Sequence, residues 1–162
     1  MSKVTACDVP EGSLLAQFGD ASDYRDCFWR DVPGEVTLAQ LIERFYSSMA
    51  FLPERLILKA LRTPAGRADI RALASGETDR FGAWKLVERR EARSSSGSVA
   101  QTNAQVLLES KDTSTASWFC VEPMGGGSRL YFGSWVGGID QSGWRAVLSA
   151  HVWYSRVLLG GV

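Results

Sequence analysis

Near the end of the chain, two strand-like runs, Ser114 to Glu122 and Ser128 to Val136, are joined by Pro123-Met124-Gly125-Gly126-Gly127 and followed by an apolar segment of helical period. Glycines this dense between two apolar runs specify a hairpin. The second run, Arg129-Leu130-Tyr131-Phe132-Gly133-Ser134-Trp135-Val136, carries apolar side chains at both parities, so this strand is expected to be covered on both sides or to sit at an interface. In the segment that follows, Trp144, Val147, Leu148, His151, Ser155 and Leu158 fall within one helical arc, which predicts a closing helix. A sheet followed by such a helix points to a small α+β domain with a concave interior able to hold a ligand.

Upstream, the pattern predicts one strand, then helices, then the rest of the sheet. Residues 1–22 are broken by Pro10, Gly12 and Gly19 and read as a loop or loosely attached N-terminal arm, leaving residues 23–162 as a single domain. Asp23 to Val32 interleaves aromatics with charges like a partly exposed strand, and Pro33-Gly34 turns the chain. Thr37 and Gln40 fit a capping box, opening a helix whose apolar face is Leu38, Leu41, Ile42, Phe45 and Met49. Pro53 predicts the start of a second helix with Leu56, Ile57, Ala60 and Leu61 inward, and a third is expected from Pro64 to Ser75, ended by Gly76. From Phe81 to Arg90 the period changes to that of one strand, with Trp84 and Leu86 on one face and Lys85 and Val87 on the other. The polar stretch 93–103 reads as a loop, and Ala104 to Ser110 adds a strand to the final hairpin, giving an antiparallel meander.

Composition narrows the classes. With 162 residues and 45% apolar content the chain is long enough for one domain with a core. Lys plus Arg equals Asp plus Glu at 18 each, which argues against a nucleic-acid or anionic-membrane partner. No apolar stretch approaches the roughly 20 residues needed to span a bilayer, and no signal peptide is evident, so a cytoplasmic protein is expected. Cys7, Cys27 and Cys120 are odd in number and scattered; they read as free thiols, with Cys120 a small buried hydrophobe. One histidine and no paired Cys or His spacing leave no metal site or cofactor expected.

Four strings, Phe81-Gly82-Ala83-Trp84-Lys85, Ser117-Trp118-Phe119-Cys120-Val121-Glu122-Pro123, Arg129-Leu130-Tyr131-Phe132-Gly133-Ser134 and His151-Val152-Trp153-Tyr154-Ser155-Arg156-Val157-Leu158-Leu159, resemble a poorly characterised bacterial family with a helix-grip-like fold, akin to the polyketide cyclase and START-like group. The likeness covers roughly residues 20–160. It implies a curved antiparallel sheet gripping a C-terminal helix, with a cavity between them that holds a hydrophobic small molecule. The chain departs from the group in placing its helices before most of its strands and in having a short closing helix. The resemblance carries no fixed catalytic set.

His151, among apolar neighbours, is expected to face the sheet, where an imidazole can shuttle a proton near neutral pH; the plainer role is a buried, hydrogen-bonded histidine. Asp23, Asp26, Glu109 and Glu122 are the candidate carboxylates to face it, although for each a solvated surface role is the plainer account. Tyr131 and Tyr154 are candidates to polarise a carbonyl, and Trp84, Trp118, Trp135 and Trp144 to line a pocket, although aromatics in such elements are more often core. Arg156 is a candidate to bind a ligand carboxylate or phosphate, or to act as a helix-end cation. Gly125-Gly126-Gly127 lacks the Lys-Ser/Thr of a phosphate loop, and no Gly-x-Ser-x-Gly elbow occurs.

Three readings follow. The first is a binding domain for a small apolar or aromatic molecule around His151. The second is a cyclase, dehydratase or isomerase using His151 as acid or base in the same cavity. The third is a structural or dimerisation module that buries the doubly apolar strand in a homodimer.

Overall fold

The computed structural model describes residues 3–51, 66–93, 103–138 and 144–162, and side chains throughout these except at 144–149. It is an α+β fold in which one curved, wholly antiparallel sheet packs against helices. Seven strands, β1 (Thr5–Ala6), β2 (Tyr24–Pro33), β3 (Arg80–Phe81), β4 (Trp84–Arg90), β5 (Ala104–Ser110), β6 (Thr115–Met124) and β7 (Gly127–Val136), lie in the order β1-β2-β7-β6-β5-β4-β3. The meander from β3 to β7 is therefore completed by β2, whose ten residues pair with β7 from Tyr24↔Val136 to Pro33↔Gly127. The β6–β7 hairpin closes through Gly125 and Gly126, with Met124 paired to Gly127 and Gly126 at φ +93°, a conformation that favours glycine.

Three helices are described: α1 (Leu38–Ser47), α2 (Arg67–Ser75) and the C-terminal α3 (Trp144–Gly160). The capping box expected at α1 forms, with Gln40 N–H donating to Thr37 Oγ1 at 3.2 Å and Thr37 N–H to Gln40 Oε1 at 3.0 Å. Leu38, Leu41, Ile42 and Phe45 are buried as the period predicts, but α1 stops before Met49, which sits in a short 3-10 turn (Met49–Phe51) and is 80% exposed. The helix expected from Pro53, and residues 64–65 of the third, lie outside the described residues. Gly76 ends α2 at φ +81° as expected, and its N–H meets the Ala72 and Leu73 carbonyls.

The main core lies on the helix side of the sheet. There Phe28 of β2, Val106 and Leu108 of β5, Phe119 and Val121 of β6, and Leu130 and Phe132 of β7 meet Leu41, Ile42, Phe45, Ile70, Leu73, Leu158 and Leu159 of the helices. Its aromatic centre interlocks, with Phe45 centred 4.7 Å from Phe132 and 4.8 Å from Phe119, and Tyr46 4.5 Å from Phe81.

The opposite face is covered by the chain's own N-terminus, which corrects the expectation of a loose arm. Leu14 and Leu15 are fully buried, and with Cys7, Val9 and Phe18 they pack on Cys27, Leu107, Trp118, Cys120, Tyr131 and Trp135. Hydrogen bonds fix the segment: Leu14 N–H donates to Gln105 Oε1, while Arg25 donates to the carbonyls of Leu15, Phe18 and Asp20. This accounts for the doubly apolar β7: its two faces meet two halves of one chain, so its pattern does not call for a second copy.

The run from Phe81 to Arg90 is not one strand but a tight hairpin, Phe81 pairing with Trp84 around Gly82 (φ +59°) and Ala83. A bulge at Val87 then shifts the register, Leu86 facing Leu108 but Glu88 facing Leu107. One extra residue reverses the side each later residue faces. Trp84 and Leu86 share a face as predicted, and that face is the helix side; beyond the bulge Arg89 also turns to that side, where Nη1 caps the Leu73 and Ala74 carbonyls of α2 at 3.2 and 3.0 Å. Arg30 of β2 does the same for α3, its Nη1 reaching the carbonyls of Leu159, Gly160 and Val162 at 3.3, 2.9 and 3.3 Å. Two arginines rooted in the sheet thus neutralise the negative ends of the helices that lie across it.

Candidate functional site

The core beneath α3 is incomplete. Along the helix side of the sheet, large apolar residues fill the positions of Phe119, Leu130 and Phe132, but the cross-strand pair Ser117↔Ser134 puts two small side chains opposite each other. A cavity of about 260 Å³ results, bounded among the described residues by Phe45, Tyr46, Phe51, Trp84 and Phe132 on its apolar side, by Ser117 and Ser134, and by His151, Tyr154, Ser155 and Leu158 of α3. The turn residues Thr113 and Thr115 complete its edge.

His151 enters this wall from α3 with its side chain 21% exposed, and its Nε2 lies 3.8 Å from Asp26 Oδ2 on β2. Of the four candidate carboxylates, Asp26 is the one that faces the imidazole. Its side chain is 8% exposed, its Oδ1 accepts the Ser134 N–H at 3.1 Å, and its Oδ2 accepts the Tyr24 hydroxyl at 3.3 Å. Burial pushes the Asp26 carboxyl above the ordinary carboxylate range; the neighbouring imidazole and the Ser134 and Tyr24 donors oppose that rise. The Ser134 hydroxyl lies beside this carboxyl without meeting hydrogen-bond geometry. Asp23 instead accepts the Trp135 indole N–H at 3.0 Å, and Glu122 the Tyr131 hydroxyl at 2.7 Å.

The other predicted site residues divide between the two faces. Trp84 and Tyr154 join His151 at the cavity, although the Tyr154 hydroxyl donates its proton to the Ala50 carbonyl at 2.8 Å and so anchors α3. Trp118, Tyr131 and Trp135 are on the far face of the sheet, against the N-terminal segment, and Trp118 N–H is held by Gln105 Oε1 at 2.9 Å. Tyr131 is therefore no partner of His151, nor do these two tryptophans line its cavity. Arg156 lies with its guanidinium 5.5 Å from the centre of the Phe28 ring, outside the cavity wall. The Trp144 side chain lies outside the described residues. Sequence reasoning missed Ser117 and Ser134. The signal was available in the small polar residues at inward parity on two otherwise apolar strands.

A larger cleft of about 420 Å³ opens on the far face, between residues 10–13 and a floor that includes Gln105, Trp118, Cys120, Glu122 and Tyr131. Several of its polar groups already have partners: Tyr131 donates to Glu122, Gln105 accepts from Leu14 and Trp118, and Arg90 donates to Glu88 at 2.7 Å and to Gln17 at 3.1 Å. The smaller cavity is the better candidate because it joins an apolar wall to a buried titratable pair.

Among the described residues no three His, Cys, Asp or Glu side chains converge in a metal-binding group, and no helix is long and apolar enough to cross a membrane. No protein-family model, no curated protein and no solved structure matches the chain.

Proposed function

We propose that this chain is a small-molecule-binding domain that holds an apolar or aromatic ligand between the sheet and α3, with one polar group of the ligand turned to His151 and Ser134. The observation that carries the reading is the inward serine pair: Ser117 and Ser134 leave an aromatic-walled space where large side chains would otherwise meet. At about 260 Å³ the space falls below the roughly 300–1,000 Å³ typical of pockets for drug-sized ligands, which favours a single ring or a short acyl chain. The resemblance to helix-grip domains, whose cavities hold hydrophobic molecules, points the same way.

The chain's single histidine supplies the test. Its imidazole proton resonances are a unique reporter at the cavity wall, and p-cresol or indole should shift them saturably. Ser117→Leu, which fills the space, should abolish the shift while leaving the circular dichroism spectrum intact. Unmoved histidine resonances at saturating concentrations of both probes would remove this reading.

The buried Asp26 beside His151 favours a second reading, an acid–base enzyme acting on a carbonyl compound in the same cavity. It predicts that the protein accelerates deuterium incorporation into the methyl group of acetophenone in heavy water, and that His151→Ala loses the acceleration. Equal rates with and without protein would exclude it for that class of probe.

A further inference from the structure

The register of β1 on β2 sets Thr5 opposite Trp29 and Ala6 opposite Phe28, so the next pair is Cys7 opposite Cys27. The Cys7 N–H donates to the Cys27 carbonyl at 3.0 Å, which makes them a hydrogen-bonded antiparallel pair, and both side chains point to the far face. Opposed residues of that kind have Cα atoms about 5.5 Å apart, inside the range of about 4.4–6.8 Å that a disulfide spans. The two thiols are in hydrogen-bonding contact. We propose that Cys7 and Cys27 form an oxidative modification site, in which exchange with a low-molecular-weight disulfide such as oxidised glutathione closes a cross-strand disulfide that fastens the N-terminal cover to the sheet.

The step balances on the groups present. The Cys7 thiolate attacks one sulfur of the glutathione disulfide and expels one glutathione thiolate. Cys27, deprotonated, then attacks the Cys7 sulfur of the mixed disulfide and releases the second glutathione. The two cysteines lose two electrons and two protons, and the glutathione disulfide gains them. Exposure sets the order, because Cys7 is partly exposed whereas Cys27 is 2% exposed and out of reach of a tripeptide. Burial raises the pKa of both thiols, so exchange is slow at neutral pH and quickens as pH rises.

Cys120 shares the face but not the reaction. It is on β6, separated from β2 by the whole width of β7, and two strand spacings of about 4.8 Å exceed what a disulfide bridges. Its register adds to the gap, since Cys27 aligns through Gly133 with Trp118 and not with Cys120.

Incubating the folded protein in a glutathione buffer rich in the disulfide form, quenching by alkylation in denaturant and mapping the peptides tests the inference. The expected result is loss of two of three thiols, a Cys7–Cys27 linked peptide, faster closure at pH 9 than at pH 7, and a melting temperature raised by roughly 5–10 °C and restored by dithiothreitol. Cys120→Ser should behave as the parent, and Cys27→Ser should stop at a glutathione adduct on Cys7. A parent protein that itself stops at that adduct, retains three thiols throughout, or links Cys120 would overturn the proposal.

Discussion

Replacing Arg30 by methionine removes the anchor of the helix that roofs the cavity while nearly conserving volume. Arg30 is 8% exposed, and its Nη1 reaches three carbonyls at the end of α3, at 2.9 Å for Gly160 and 3.3 Å for Leu159 and Val162. A guanidinium Nη1 has two protons, so these three acceptors share two bonds. Hydrogen bonds to a charged group contribute about 1.5–3 kcal/mol each. The contacts to Leu159 and Val162 are long and those to Gly160 and Val162 only part-buried, so the lower end applies, giving about 3 kcal/mol in all. Arg30→Met should therefore lower the urea midpoint by about 1–2 M for a slope near 2 kcal/mol/M, with the slope unchanged. Arg30→Lys, which retains the charge but not the fork, should fall between. A midpoint for Arg30→Met within about 0.3 M of the parent would refute the claim that this arginine holds α3 in place.

Gly133 lies beneath the N-terminal cover, where an added Cβ would stand 2.5 Å from Leu15 Cδ2, 2.9 Å from the Asp26 carbonyl oxygen and 3.2 Å from Trp118 Cε3. Gly133→Ala should cost about 1–3 kcal/mol in urea unfolding, and an unchanged midpoint would show that the far face is loosely packed. For Asp26, whose folded pKa lies above its ordinary value of 3.8, the folded state holds a proton that the unfolded chain releases, so this contribution to stability is present below about pH 4 and is lost as pH rises through the folded pKa. Asp26→Asn should accordingly gain stability relative to the parent as pH rises above about 4; a parent that gains on the variant over that rise would contradict the assignment.

Where a signal was local, the sequence was legible. The capping box at Thr37 and Gln40, the left-handed end at Gly76 and the Gly125-Gly126 hairpin each depend on residues within a few positions of one another, and each formed. Asp26 stood among four carboxylates offered as partners of His151, and only the folded register, which sets it beside Ser134 and under the C-terminal helix, singles it out. Errors arose where a side chain's role depended on a remote partner. Leu14 and Leu15, an isolated pair among glycines and prolines, have no period, and only the exposed side of the folded sheet gives them a surface to bury. That same cover claimed Trp118, Tyr131 and Trp135, which parity alone could not assign to a face. Val87 shows the limit in one residue: a regular alternation puts Arg89 beside Lys85, and the bulge moves it across.

The place of β2 between β1 and β7 bears on how the protein is made. Asp26 and Ser134, bonded across that seam, are 108 positions apart in the chain. During synthesis the second strand can pair only with the two-residue β1 until the last hairpin has left the ribosome, so topology favours a meander that assembles first and an early segment that docks late, a slow order. Any chaperone that attends this protein would meet its opening thirty residues unprotected.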